Sequence, residues 1–129
     1  MKILIVDNDI NTVEVLKVAL TTKADYKIDI AYDGKKALEK MKKNHQIYNL
    51  LILDIMMPEI SGIDLCKLML KDKKLKKIPV LLISALPISS RAFQESIERF
   101  NELDVVKDIL EKPFSINVLL SKCKAICKP

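Results

Sequence analysis

Short apolar runs and helix-period segments alternate along the chain from one end to the other. The apolar runs are rich in consecutive Ile, Leu and Val, which is typical of strands buried on both faces of a parallel sheet. We predict five strands, at residues 2–6, 27–31, 50–53, 79–83 and 105–110. The alternation predicts an α/β fold with a doubly wound five-stranded parallel sheet, for which we take the strand order 2-1-3-4-5. Helices are expected on both faces, which makes a three-layer sandwich.

The segments between the strands keep the three- and four-residue apolar spacing of helices that pack one face on a sheet. Ser61 followed by Asp64 predicts a capping box at the start of the third helix, and Asn11 and Ser115 are predicted to cap the first and fifth helices. The fourth helix is expected to turn its apolar stripe toward the core with Phe93, Ile97 and Phe100.

The composition is that of one ordinary globular domain, which we take to span residues 1–129. Half of the 129 residues are hydrophobic (50%) and 30% are charged. No apolar run approaches the roughly 20 residues of a membrane span, and no signal-peptide pattern is present, so we expect a cytoplasmic protein without membrane contact. Cys66, Cys123 and Cys127 form no CxxC pair, and we expect reduced thiols in the core.

The formal net charge of +5 raises the question of nucleic-acid binding. The densest basic stretch is KDKKLKK at residues 71–77, which contains no aromatic residue and lies between a helix and a strand. We interpret it as a solvated connection and expect no direct nucleic-acid binding by this domain.

Polar side chains follow four of the five predicted strands. The first strand is followed by Asp7, Asn8 and Asp9, the third by Asp54, the fourth by Ser84 and the fifth by Lys112. In an open parallel sheet, ligands bind beyond the carboxyl ends of the strands, where the order 2-1-3-4-5 makes strands one and three neighbours. Clustered carboxylates need a cation, and hard oxygen ligands suit Mg²⁺. A carboxylate nucleophile beside an ammonium group and a hydroxyl suits phosphoryl transfer.

The chain resembles the receiver domains of two-component response regulators over essentially its whole length. The resemblance lies in ILIVDND at residues 3–9, LLILDIMMPEISG at 50–62, VLLISA at 80–85 and EKPF at 111–114. It implies a flavodoxin-like and CheY-like fold in which Asp54 is phosphorylated by a histidine kinase or a phosphotransfer protein. It also implies that Ser84 and Lys112 contact the phosphoryl group and that the backbone carbonyl of Met56 completes a Mg²⁺ shell.

Two positions depart from the pattern of these receivers. Asn8 stands where receivers carry a second metal-ligating carboxylate, so we expect weaker Mg²⁺ binding, with Asp9 as a possible substitute ligand. Ile109 stands where receivers carry a Tyr or Phe that moves on activation, which puts that form of the switch in doubt. The apolar Met56 and Leu86 cannot readily position an attacking water, so we expect a long-lived phosphorylated state.

The resemblance describes a phosphorylation-dependent switch rather than an enzyme that turns over a metabolite. We expect the domain to assist its own phosphorylation and dephosphorylation. An output domain or effector is expected to bind the face of helix 4, strand 5 and helix 5, and a homodimer is possible. Two alternatives stay open: a pseudo-receiver interaction module without phosphotransfer, and a DxD-type aspartyl phosphatase with Asp7 as nucleophile. The kinase, the output and any domain beyond Pro129 are not identified by the sequence.

Overall fold

A computed structural model describes residues 1–44, 48–87, 89–97 and 104–127. The strands are β1 (Lys2–Val6), β2 (Lys27–Ala31), β3 (Tyr48–Asp54), β4 (Val80–Ser84) and β5 (Val106–Glu111). The helices are α1 (Ile10–Lys23), α2 (Gly34–Asn44), α3 (Gly62–Leu70), α4 (Arg91–Ile97) and α5 (Ile116–Ile126), and a short 3₁₀ turn spans Leu75–Lys77.

The sheet is parallel throughout and has the predicted order β2-β1-β3-β4-β5. Its side chains alternate between two cores because successive residues of a strand point to opposite faces. Leu4, Leu51 and Leu82 belong to one core, together with side chains of α2, α3 and α4. Ile5 and Ile52 belong to the other core, with side chains of α1 and α5. The predicted three-layer fold is therefore confirmed.

The predicted strand boundaries were wrong by one or two residues in three strands. β1 and β2 match the prediction, whereas β3 begins at Tyr48 and ends at Asp54, beyond the apolar run itself. β4 and β5 each begin and end one residue later than predicted, at Val80–Ser84 and Val106–Glu111. Hydrogen bonding between the strands continues to polar residues such as Asp54 and Ser84 at their C-terminal ends. A prediction from the hydrophobic pattern alone leaves these residues out of the strands.

The helix caps agree with the sequence at α3 and α5 but not at α1. Ser61 and Asp64 form the predicted capping box, and Ser115 caps α5 by accepting a hydrogen bond from the Val118 N–H. At α1 the cap is Asp9 rather than the predicted Asn11, because the Asp9 carboxylate accepts the Asn11 N–H and the helix already begins at Ile10.

The remaining core predictions concern α4 and the cysteines. Phe93 is fully buried, as predicted, whereas Phe100 and the side chain of Ile97 lie outside the described residues. All of the cysteines are buried with free thiols, which confirms their predicted place in the core. In the part of the chain that the structure describes, no helix is both long and apolar enough to cross a membrane.

Candidate functional site

Asp54 ends the central strand β3 and lies at the C-terminal edge of the sheet, the edge to which the carboxyl ends of all strands point. Its neighbour in β4 is Ile83, and its side chain is almost completely buried. The carboxylate is oriented by its own loop, because the Met56 N–H donates to Asp54 Oδ1 at 3.2 Å. Gly62 closes that loop by donating its N–H to the Ile55 carbonyl at 3.0 Å.

Asp7 follows β1 directly and reaches the same edge, because β1 pairs with β3 in the register Val6 to Leu53. Its carboxylate is 1% exposed, and Asp7 Oδ1 accepts the Asp9 N–H at 2.9 Å. The sequence predicts that Asp7, Asn8 and Asp54 come within reach of one another, and this register brings Asp7 and Asp54 together.

Lys112 comes from the far end of the sheet and bridges the two acids. Its N–H donates to the Ser84 carbonyl at 2.8 Å, which fixes the start of the segment after β5 beside β4. The ammonium Nζ then lies 3.0 Å from Asp7 Oδ2 and 3.8 Å from Asp54 Oδ2. The side chain of Lys112 is 19% exposed, so this pairing takes place largely out of water.

The electrostatics of the cluster oppose ionisation of Asp54. Burial, followed by repulsion from Asp7, raises the pKa of Asp54 to about 6, although the positive charge of Lys112 acts in the other direction. One ammonium group thus serves two carboxylates, and the site carries an unbalanced negative charge when both are ionised. Such a site attracts a further cation.

The structure places Asn8 and Asp9 differently from the buried pair. Both residues are exposed. Asp9 Oδ1 accepts the Asn11 N–H at 3.1 Å and Asp9 Oδ2 accepts the Thr12 hydroxyl at 2.7 Å. These bonds, the Thr12 hydroxyl first among them, lower the pKa of Asp9. Both oxygens of Asp9 therefore serve the helix cap, and nothing in this geometry supports its predicted role as a substitute ligand.

Ser84 is buried at the end of β4, but its hydroxyl bonds to its own loop. It accepts the Leu86 N–H at 3.0 Å and donates to the Leu86 carbonyl at 3.0 Å. The cluster that the structure brings together is therefore Asp7, Asp54 and Lys112. Contact between Ser84 and a phosphoryl group stays a prediction.

The donor set fits a hard cation held in part by water. In the described ranges, no group of three or more His, Cys, Asp or Glu side chains is arranged to hold a metal ion. The site offers a cation two buried carboxylates, those of Asp7 and Asp54. The further predicted ligands are the Asn8 amide and the Met56 carbonyl. Mg²⁺ binds proteins through one or two carboxylates and keeps several waters, so the residues present fit this ion.

Gly62 and Glu59 belong to the site, although the sequence reasoning gave them no role. A Cβ on Gly62 would lie 2.5 Å from the Asp54 carbonyl oxygen, so the loop after β3 closes only around a glycine. Glu59 in the same loop has φ 66°, in the left-handed region that disfavours residues with a Cβ. The sequence offered one indication that Gly62 matters: the chain has only 2 glycines, so each stands out.

A buried aspartate pair bridged by a lysine, at the switch point of a doubly wound parallel sheet, defines a domain of the receiver class. The response regulator receiver domain family matches residues 3–124, and the chain belongs to this family. Its curated relatives include the response regulator ArlR of Staphylococcus aureus, which is 31% identical over 98% of this chain. The match covers 52% of that relative, so the chain spans about half the length of the curated relatives it matches.

Solved structures agree with this assignment. A putative response regulator from Chloroflexus aurantiacus is 30% identical with a TM-score of 0.85, covering 99% of this chain and 98% of its own. The receiver domain of the Francisella response regulator 1452 is 31% identical with a TM-score of 0.81, covering 98% and 96%. The chemotaxis protein CheY4 of Vibrio cholerae is 25% identical with a TM-score of 0.82, covering 97% of both chains. The predicted family and the CheY-like fold are confirmed.

Proposed function

We propose that this domain is a phosphorylation-dependent switch that accepts a phosphoryl group on Asp54. The observation that carries the proposal is the position of Lys112 Nζ, 3.0 Å from Asp7 and 3.8 Å from Asp54 at the C-terminal edge of the sheet. A buried carboxylate beside one fixed positive charge and one further carboxylate is a nucleophile with part of its charge compensation in place, and a bound cation would supply the rest.

The phosphoryl donor is a histidine kinase or a phosphotransfer protein, as membership of the family implies. An oxygen of Asp54 attacks phosphorus, the P–N bond to the donor histidine breaks, and its electron pair stays on that nitrogen. The other ring nitrogen carries a proton, so the leaving group is a neutral imidazole. The Lys112 ammonium, freed from part of its contact with Asp54, donates to a phosphoryl oxygen. Hydrolysis of the acyl phosphate by water later restores the Asp54 carboxylate and releases phosphate.

Mg²⁺ is the proposed cofactor, and Asp7, Asn8, Asp54 and the Met56 carbonyl are its proposed ligands. The ion would supply charge compensation for the phosphoryl oxygens. Asn8 contributes an amide oxygen without a charge, so we expect weaker binding than a third carboxylate would give. Asp7 is held for this task by the Asp9 N–H and by Lys112.

The test is the intact mass of the chain after incubation with Mg²⁺ and acetyl phosphate. One added phosphoryl group is expected on the wild type, none on Asp54→Asn, and a much slower addition on Asp7→Asn. Asp25→Asn is the matched control because Asp25 is exposed at the opposite edge and already has a positive φ that Asn tolerates. A phosphoryl adduct that persists in Asp54→Asn would overturn the proposal.

A pseudo-receiver is the second candidate. It is favoured by Asn8, which is exposed and stands in place of a carboxylate, so that the site has two buried carboxylates rather than three. In that case the domain binds partners without phosphotransfer, and no variant gains mass. The DxD phosphatase requires Asp7 as nucleophile, yet both oxygens of Asp7 are held in short contacts: Oδ1 accepts the Asp9 N–H at 2.9 Å and Oδ2 accepts from Lys112 at 3.0 Å, whereas Asp54 Oδ2 lies 3.8 Å from Lys112. An adduct that depends on Asp7 and survives Asp54→Asn would support it.

The partners and setting follow from the family rather than from this chain alone. We propose that a change in Ser84 and its loop on phosphorylation alters binding at the face of α4, β5 and α5, where an output domain, an effector or a second copy would dock. Ile109 in β5 is partly buried against the core and has no ring to move, so this change would not use an aromatic switch. A cytoplasmic location, self-catalysed dephosphorylation and a slow loss of phosphate belong to the same proposal.

A further inference from the structure

Seven exposed lysines lie together at the N-terminal edge of the sheet, opposite to the Asp54 site. A helix that follows a parallel strand runs back along it, so the C-terminal ends of α2 and α3 reach this opposite edge. The connection from α3 to β4 lies at the same edge. We name these residues the lysine surface: Lys42, Lys43, Lys71, Lys73, Lys74, Lys76 and Lys77.

The lysine surface is continuous between α2 and the connection after α3. A cavity of about 210 Å³ is lined jointly by Leu38 and Lys42 of α2 and by Leu68, Lys71 and Leu75. In the sequence, residues 71–77 stand alone and are interpreted as a solvated connection. The fold adds the lysines of α2 to it, so the positive charge is spread over one surface rather than confined to one loop.

Among the described residues, the charge of this surface is only partly offset by acidic side chains. The ion pairs of the described residues include no lysine of the lysine surface. Asp72 lies within this surface: its Oδ1 accepts the N–H groups of Lys74 at 2.8 Å and Leu75 at 3.2 Å, and these bonds, together with the charges of Lys42 and Lys74, lower its pKa, so one carboxylate stands among the seven lysines. Helix dipoles account for about half a charge at each helix end, which leaves most of the lysines in excess.

The side chains of the surface narrow the choice of partner. Membrane surfaces are bound through apolar side chains that insert beside the charges, and Leu68 is the one large hydrophobic residue among those described that is exposed here. Single-stranded nucleic acids are bound through aromatic rings, and no described residue of this surface carries one. Nor does any described residue of the surface offer an arginine fork to read a base edge. What remains is a set of point charges suited to closely spaced phosphates.

We propose that the lysine surface binds the phosphate backbone of duplex nucleic acid without reading its sequence. A duplex carries one negative charge per roughly 1.7 Å of its axis, so lysines spread over one surface can each contact a phosphate. The surface lies at the edge opposite to Asp54, so this binding and phosphoryl acceptance are separate properties of the domain. The proposal departs from the sequence expectation that this domain makes no direct contact with nucleic acid.

The test measures fluorescence anisotropy of a labelled DNA duplex of about 20 base pairs, titrated with the full chain at two salt concentrations. We expect binding at 50 mM salt that weakens by about 10²-fold or more at 200 mM, equally for unrelated sequences. The surface variant combines Lys43→Glu, Lys73→Glu, Lys76→Glu and Lys77→Glu. The matched control combines Lys17→Glu, Lys35→Glu, Lys36→Glu and Lys124→Glu, which are exposed on α1, on the first turn of α2 at the Asp54 edge and on α5, and which change the net charge equally.

Loss of at least about 10-fold in affinity for the surface variant, with less than about 3-fold for the control, is the expected result. Equal losses in both variants would show that net charge alone is responsible and would overturn the proposal. So would the absence of wild-type binding at 50 mM salt, or tighter binding to vesicles of anionic phospholipid than to the duplex. Circular dichroism checks folding, and the corresponding Lys→Gln set replaces any variant that does not fold.

Discussion

Asp54 is a carboxylate whose surroundings disfavour its charge in the absence of a cation. Its pKa is raised from 3.8 to about 6, first by burial and then by Asp7. The folded chain therefore binds a proton more tightly than the unfolded chain does. The stability that comes from this proton is complete below pH 3.8 and is lost as the pH rises through about 6.

The first prediction follows from this sign. Asp54→Asn cannot ionise, so in the presence of a chelator it should be more stable than the wild type at pH 7.5 by about 1–3 kcal/mol, with little difference at pH 4. Urea unfolding at the two pH values measures this. Saturating Mg²⁺ should reduce the advantage, because a cation stabilises the charged wild-type site. The same advantage at pH 4 and pH 7.5 would contradict the argument, and Asp25→Asn should show neither effect.

The second prediction concerns the loop that carries Asp54. Gly62→Ala places a Cβ 2.5 Å from the Asp54 carbonyl oxygen and 2.9 Å from Ile55 Cα, both of which are backbone atoms. The loop must shift, so we expect a loss of stability of about 1–3 kcal/mol together with slower phosphorylation by acetyl phosphate.

Gly34→Ala is the control for that substitution, because a Cβ there would also be too close to its neighbours, but to Ile60 Cβ and Cγ2 at 2.8 and 2.9 Å and to the Ile60 carbonyl oxygen at 3.1 Å rather than to the backbone of Asp54. It should leave the phosphorylation rate nearly unchanged. Equal effects of the two substitutions on phosphorylation would show that Gly62 has no special relation to Asp54.

At the scale of elements, Asp9 lies between β1 and α1 and could act either as the cap of α1 or as a metal ligand. The geometry distinguishes these two roles. Asp9 follows the strand as a metal ligand would, yet its oxygens cap α1 through Asn11 and Thr12. We predict that Asp9→Ala lowers the urea midpoint, whereas Asp9→Asn, which can also cap, retains it. Mg²⁺ affinity, measured by calorimetry, should change little in Asp9→Asn. A large fall in that variant would make Asp9 a ligand.

The same element shows where sequence reasoning reached its limit. Apolar periodicity located all five strands, because burial on both faces leaves a strong pattern, and the strand order taken for a doubly wound sheet is confirmed. It also brought Asp7, Asp54 and Lys112 to one edge, since topology alone fixes which strand ends meet. It could not choose between Asp9 and Asn11 as the cap, because both residue types cap well and the choice depends on where the helix begins.

The hydrophobic pattern also could not predict how side chains are oriented or how closely backbone segments approach each other. Ser84 occupies the predicted strand end, but its hydroxyl turns to the Leu86 backbone, which spacing cannot show. The close approach of Gly62 to Asp54 depends on how α3 returns to β3, a three-dimensional fact with no local signature. The lysine surface arises in the same way, from residues of two elements that only the fold makes neighbours.

At the scale of the whole molecule, the two cores on either side of the sheet enclose thiols that report on the cooperativity of the fold. Cys66 packs in the core of α2, α3 and α4, and Cys123 packs in the core of α1 and α5. Burial raises the pKa of each of these two thiols to about 12 and also raises the pKa of Cys127. Only the thiolate attacks a disulfide reagent, so the folded chain should be nearly inert.

The last prediction uses the labelling rate of these thiols to measure how often the folded molecule opens. At pH 8 the folded chain should react with a disulfide reagent far more slowly than the chain in 6 M urea, by about 10³-fold or more, because labelling requires a global opening. Cys66 and Cys123 should react at the same rate although they lie in opposite cores, if the sheet holds both cores in one cooperative unit. Mass spectrometry of the labelled peptides separates the two sites. Faster labelling of Cys123 than of Cys66 would mean that α5 opens locally, and the two layers would then be independent units rather than one switch.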